Sequence, residues 1–253
     1  MSGSVVVAGL GPGAQELITP EVTAALDAAT DLVGYAPYVA RVAARDDVRR
    51  HSSDNREEID RASFALRLAS EGRHVVIVSS GDPGVFAMAA ALFEAIEAGD
   101  PAWRDLDIRV LPGISAMFAA AARIGAPLGH DFCAINLSDN LKPWETVEKR
   151  LRAAAEADFV IALYNPISKA RQWQLDRAFE LLRGIHAASV PVIFATAVSA
   201  PHQRIDVVPL GDALPSRADM RTVVMIGSSQ TRLIPRANGG NYVYTPRSAK
   251  AAS

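Results

Sequence analysis

The aliphatic, β-branched run Val75-Val76-Ile77-Val78 leads directly into Ser79-Ser80-Gly81-Asp82-Pro83-Gly84, and an alanine-rich stretch follows. A short run with no polar face suits a strand buried on both sides of a sheet. The turn after it holds two glycines, a proline and two serines, so its backbone can approach a ligand with no Cβ in the way. Asp82 brings the only formal charge in that turn. In open α/β sheets the ligand crevice lies beyond the carboxyl ends of the strands, which places this turn on a ligand-binding edge. The same residues also read as a plain strand-to-helix turn with Asp82 as its cap, and the segment alone does not choose.

Strand and helix signals alternate along the rest of the chain. Val5 to Ala8 reads as a strand opening into Gly9-Leu10-Gly11-Pro12-Gly13-Ala14, which formally matches the dinucleotide-binding fingerprint. Two features oppose a nicotinamide or flavin site there. The helix start is Thr19-Pro20-Glu21, with an N-cap, a proline at the first position and an acid in the first turn, so Gln15 to Ile18 reads as loop. The acid that should end the next strand is also missing, because Asp31 stands ahead of Leu32-Val33. Helices are expected from Arg56 to Ser70 and from Val85 to Ala98, then a strand from Ile108 to Leu111 running into Pro112-Gly113-Ile114-Ser115-Ala116 and a small-residue helix to Ala122.

The pattern changes near residue 113, which divides the chain into an N-terminal α/β domain, 1–113, and a C-terminal α/β domain, 114–253. The second half predicts strands at Phe132 to Leu137, Phe159 to Leu163, Val192 to Ala195, Arg204 to Val208, Thr222 to Ile226 and Tyr242 to Tyr244. Helices are expected from Pro143 to Ala157 and from Ala170 to Leu182, and a frayed tail from Thr245.

A chain of 253 residues, 49% hydrophobic, can bury a large core. A net charge of −2 without a basic stripe argues against nucleic acid as a partner. No apolar run reaches the roughly 18 residues of a membrane span and no basic leader precedes the first strand, so a soluble cytoplasmic protein is expected. The single cysteine, Cys133, reads as a packing residue in an apolar strand. The five histidines show no ligand spacing and no Gly-Lys-Ser/Thr motif occurs, so neither a metal nor a polyphosphate site is expected. His130, in Gly129-His130-Asp131, reads either as a surface or capping histidine or as an acid/base facing substrate.

The order of turns, Gly-Leu-Gly-Pro-Gly, Ser-Ser-Gly-Asp-Pro-Gly, Pro-Gly-Ile-Ser-Ala and Tyr-Asn-Pro, resembles the tetrapyrrole (corrin/porphyrin) methylases over roughly residues 4 to 247. Within the family, Gly34-Tyr35-x-Pro37-Tyr38, Gly129-His130-Asp131-Phe132, Leu137-Ser138-Asp139 with Pro143-Trp144-Glu145, and Thr245-Pro246-Arg247 are most similar to members that act on precorrins in cobalamin synthesis, methylating ring carbon 17 and contracting the macrocycle. The proline of Ser-Gly-Asp-Pro-Gly departs from the alanine often found in that subgroup.

The resemblance implies two α/β domains, unlike single-domain Rossmann methyltransferases, with S-adenosyl-L-methionine bound in a cleft between them and released as S-adenosyl-L-homocysteine. It implies a homodimer with no metal or flavin, and a cofactor site at Pro12, Gly81, Asp82, Val85, Ser115, Ala116, Asn165, Ala197 and Gly227. Ring contraction calls for a base, for which His130 and Asp131 come first and Asp82 and Asp139 next. Arg41, Arg49, Arg50, Lys142 and Arg232 are candidates to meet the carboxylates of the macrocycle. A cobalt-containing substrate, another ring carbon, a nucleotide-dependent oxidoreductase and a non-catalytic tetrapyrrole carrier are the competing expectations.

Overall fold

A computed structural model describes residues 3–54, 57–237 and 239–248, and the chain forms two compact α/β units, Met1–Ser115 and Ala116–Ser253. In the first unit, strands β1 (Ser4–Gly9), β2 (Asp31–Tyr35), β3 (Arg49–Ser53), β4 (His74–Ser79) and β5 (Asp107–Leu111) form one sheet in the order β3-β2-β4-β1-β5. All of its pairings are parallel. Between them run α1 (Pro20–Ala28), α2 (Ala36–Val39), α3 (Glu58–Ser70) and α4 (Met88–Ala98).

The aliphatic runs are explained by cover on both faces. Val5, Val7, Val75 and Ile77 pack against Ala62, Leu66 and Ala69 of α3 and Leu92 of α4. Their neighbours Val6, Ala8, Val76 and Val78 turn to the other side, with Val22 of α1 and Val39 of α2. Alternation along a strand thus produces two apolar layers rather than one apolar and one wet face.

The expected elements shift in places, each for a local reason. Gln15–Leu17 is a single 3-10 turn rather than loop. The expected helix start at Arg56 lies outside the described residues, and α3 begins at Glu58. Helix α4 begins at Met88 rather than Val85, because Phe86 takes a left-handed φ of +53° and Ala87 is extended. Strand β3, Arg-Arg-His-Ser-Ser, has no apolar pattern to announce it, and it is held as an edge by its ladder to β2.

Asp31 is the first residue of β2 rather than a residue ahead of it, and its side chain is fully buried. It accepts from Thr30 Oγ1 at 2.8 Å and lies 2.9 Å from His51 Nε2 and 2.7 Å from an Arg73 guanidinium nitrogen.

The second unit starts with α5 (Ala116–Ile124) and β6 (Gly125–Ala126), followed by β7 (Phe132–Asn136), α6 (Trp144–Glu156), β8 (Val160–Tyr164) and α7 (Gln174–Arg183). Then come β9 (Pro191–Thr196), β10 (Arg204–Pro209), β11 (Thr222–Ile226), β12 (Arg232–Pro235) and β13 (Asn241–Tyr244). Its main sheet runs β10-β9-β11-β8-β7 and is mixed: β7 and β8 are parallel, and the remaining pairs antiparallel. Val147 and Leu151 of α6 and Leu175, Phe179 and Leu182 of α7 close its core against Ile161, Leu163, Val192, Phe194 and Val224.

Helix α7 starts at Gln174 rather than Ala170, since Ser168 and Arg171 close a turn on each other by two backbone hydrogen bonds. A small sheet, β12-β13-β6, contains two strands with no sequence signal. The expected fraying from Thr245 is corrected as well. Thr245 is buried, its hydroxyl donates to the Pro127 carbonyl at 2.6 Å, and it meets Thr231 Oγ1 at 2.9 Å. Among the described residues no helix is long and apolar enough to cross a membrane.

Burial raises the carboxyl pKa of Asp31, but the hydrogen bonds from His51 and Thr30 and the charge of Arg73 outweigh it, so the group sits below its ordinary 3.8. Folding therefore favours the carboxylate: its contribution is complete above the unfolded value and is lost as pH falls through the folded one. Asp31→Asn is expected to cost about 3 kcal/mol at neutral pH. In urea denaturation the gap to the parent chain should narrow below about pH 4.

Candidate functional site at the strand ends

Strands β4, β1 and β5 are neighbours, so the three glycine turns that follow them leave the sheet side by side. Gly11 and Gly81, both at φ +64°, exchange backbone hydrogen bonds: Gly11 N–H donates to Gly81 O at 3.2 Å and Gly81 N–H to Gly11 O at 2.9 Å. A Cβ on Gly9 would stand 2.6 Å from Gly113 N and 2.7 Å from Gly81 O, and one on Gly113 would stand 2.2 Å from Gly81 O. The turns are packed main chain on main chain. The sequence reading left the backbone of the Gly81 turn open to a ligand; the structure shows that Gly9 and Gly113 make room first for one another and for Gly81.

Asp82 sits within this junction. Its Oδ1 accepts from Gly84 N–H at 2.8 Å, closing its own turn, and its Oδ2 accepts from Gly113 N–H at 3.1 Å. Both oxygens are thus engaged by backbone donors, a bracing arrangement with charge-assisted bonds. Pro83 beside it is buried. Of the residues implied as cofactor contacts, Pro12, Gly81 and Asp82 are brought together on this edge. Val85 follows on the same turn and is half-buried, and buried Ser115 ends the third turn just before Ala116, the first residue of α5.

In the second unit the implied residues mark unusual backbone. Asn165, after β8, and Ala197, after β9, have left-handed φ of +50° and +49°. Asparagine tolerates that region, whereas alanine occupies it at a cost of about 1 kcal/mol or more, and such strain collects at functional sites. The Asn165 amide donates to Asn136 Oδ1 at 3.1 Å, and its carbonyl accepts from the Arg171 guanidinium at 2.9 Å. Ala197 N–H donates to Arg221 O at 3.0 Å. Gly227 has no room for a side chain, since a Cβ would lie 2.8 Å from Thr231. A further residue here had no sequence signal beyond its motif: the Tyr164 hydroxyl accepts from Met117 N–H at 3.1 Å and caps the first turn of α5.

The candidate bases also lie in this unit, apart from Asp82. His130 Nδ1 accepts the Asp131 backbone N–H at 2.7 Å. A neutral ring so bonded carries its proton on Nε2, and it presents a donor rather than a base there. The Asp131 carboxylate is largely exposed and reaches His130 Nδ1 at 3.5 Å. Asp139 Oδ2 accepts from the Gln174 amide at 3.1 Å.

Three of the five candidate cations are already engaged by main-chain carbonyls. Arg41 donates to Leu10 O, Gly11 O and Gly13 O, and Arg50 to Val39 O, Val42 O and Ala43 O. Lys142 Nζ donates to Ser138 O at 3.1 Å, and burial, helped by the charge of Arg150, lowers its pKa. Arg49 and Arg232 are exposed.

A dinucleotide site at the first glycine turn and a reactive thiol find no support. The first glycine turn does not open into a helix, since Thr19 Oγ1 caps α1 by accepting Val22 N–H at 3.2 Å well after it, and Asp31 lies at the opposite end of β2 from a ribose-binding acid. Burial pushes the Cys133 thiol pKa up, away from reactivity. Among the described residues no three His, Cys, Asp or Glu side chains gather as a metal site.

Residues 4–214 match the family described as Tetrapyrrole (Corrin/Porphyrin) Methylases. A curated Sinorhizobium protein, precorrin-3B C(17)-methyltransferase, is 58% identical over 253 residues, covering 100% of both chains. The crystal structure of the methyltransferase CobJ superposes with a TM-score of 0.93 at 61% identity, over 97% of this chain and 100% of that one. The uroporphyrin-III C-methyl transferase of Thermus thermophilus complexed with S-adenyl homocysteine shares the fold, with a TM-score of 0.69 at 21% identity over 89% and 97% of the two chains.

Gly113→Ala forces a Cβ into the Gly81 carbonyl, and the turns must part for it. It is expected to cost at least about 2 kcal/mol in denaturant unfolding. A Gly113→Ala chain as stable as the parent would show that the turns are not packed on one another.

Proposed function

The chain belongs to the tetrapyrrole (corrin/porphyrin) methylases, and from that membership we propose that it transfers a methyl group from S-adenosyl-L-methionine to carbon 17 of precorrin-3B, with contraction of the macrocycle, in cobalamin biosynthesis. The observation that carries the reading is the braced edge of glycine turns in a chain that matches a relative of that activity from end to end. The turns fit the donor: their one acidic side chain, Asp82, suits a sulfonium, and the absence of a helix opening from the first glycine turn disfavours a pyrophosphate. S-adenosyl-homocysteine in the Thermus relative supports the same class of ligand.

The donor supplies an activated methyl group and a neutral leaving thioether, so positioning sets the rate. That role falls to the Gly11–Gly81 pair and to Asp82, which fix the turns before a ligand arrives. The donor contacts are Pro12, Gly81, Asp82, Val85, Ser115, Ala116, Asn165, Ala197 and Gly227. Ring contraction requires removal of an alcohol proton as a carbon migrates. Asp131 is the acceptor in this reading, and His130 donates through Nε2 to the oxygen that gains charge. The protein acts as a homodimer in the cytoplasm, as its family leads one to expect.

Purified protein given precorrin-3B and methyl-labelled donor is expected to place label on carbon 17 and yield a contracted ring, read by mass and nuclear magnetic resonance. Label on another carbon, or transfer only to a cobalt-bearing substrate, would replace this reading with that of a neighbouring corrinoid methylase. His130→Ala should retain methylation while slowing contraction roughly 100-fold or more. Unchanged rates for both steps would remove His130 from the mechanism.

A further inference from the structure

We infer that Arg41 is a positioning residue for methyl transfer: its guanidinium fixes the first glycine turn in the shape that receives the donor. The inference rests on the donor reading above and deepens it. One terminal nitrogen donates to Leu10 O at 2.6 Å and Gly13 O at 3.3 Å, the other to Gly11 O at 3.1 Å and Ser80 Oγ at 3.4 Å. A single planar group thus gathers three carbonyls of the turn that contains Pro12 and adds a link to the turn of Gly81. Among the described residues no carboxylate lies within ion-pair distance of it. A half-buried guanidinium directed at carbonyls and a hydroxyl is desolvated, which lowers its pKa while leaving it a cation.

The delivery of this group explains a motif that had no role. Gly34, next to last in β2, pairs with Val78, and a Cβ there would stand 2.7 Å from Val78 Cγ2. Tyr35 ends the strand as the N-cap of the short helix α2, which holds Pro37 and Tyr38, and Arg41 N–H donates to Tyr38 O at 3.1 Å. The link is reciprocal, because the Gln15 side chain donates to Arg41 O at 3.2 Å. Gly34-Tyr35-x-Pro37-Tyr38 is therefore a stalk that carries Arg41 to the donor turn. A lysine could keep the charge but not fork to three carbonyls.

Calorimetry with S-adenosyl-L-homocysteine on the parent chain, Arg41→Lys, Arg41→Ala and Gln15→Ala tests this, alongside steady-state kinetics. Affinity is expected to fall roughly 10-fold in Arg41→Lys and roughly 100-fold in Arg41→Ala. The KM for donor should rise, while the KM for precorrin-3B and the kcat at saturating donor stay within about twofold of the parent. Parental affinity in Arg41→Lys, or an equal rise in both KM values, overturns the clamp. If Arg41→Ala does not fold, Arg41→Lys and Gln15→Ala decide, the latter by a smaller loss of the same kind. No binding of S-adenosyl-L-homocysteine by the parent overturns the donor reading itself, a result distinct from any produced by the variants.

Discussion

Gly9, Gly81 and Gly113 lie so close that any side chain on the first or the last would collide with the backbone of another turn. That contact is possible because β1 runs between β4 and β5 in a parallel sheet, which delivers three carboxyl ends to one edge. Asp82 then bridges the second and third turns, and Arg41 gathers the first. Backbone polar groups packed this way would be costly if unpaired. Here the turn amides and carbonyls find one another, an aspartate and an arginine. The edge is consequently rigid before it meets any ligand, which is what an enzyme that works by alignment needs.

The elements that the sequence announced are those whose signal is local. Val5 to Ala8 and Val75 to Val78 read as buried strands because their runs have no polar face, and Thr19-Pro20-Glu21 read as a helix start because its cap chemistry is written in adjacent residues. Strand β3 and strand β12 were not legible: one is polar and the other exposed, and each exists because a neighbouring strand offers a ladder. The delayed start of α4 depends on one left-handed residue, Phe86, which no propensity indicates. Thr245 was misread as the start of a tail because its burial depends on Pro127 and Thr231, far from it in the chain.

The site was legible as a set of turns, but not as a set of forces. Glycine was correctly read as space, yet the space is taken first by other main chain. Arginines at 41 and 50 look like solvated surface cations in a one-dimensional text, and only the fold shows them turned onto carbonyls. The left-handed φ of Ala197 was hidden for the opposite reason, since alanine carries no mark of strain. Tyr164 capping α5 is a pairing across 47 positions that spacing cannot reveal.

Strand β3 has one further consequence. It is the outermost member of its sheet, written in arginine, histidine and serine, with Arg50 folded back onto carbonyls of its own unit and His51 turned to Asp31. A border of that kind offers poor apolar cover and a desolvation penalty to any incoming chain. The five-stranded sheet is thereby finished on that side, and growth by strand addition, the usual route from parallel sheets to aggregates, is closed to it there.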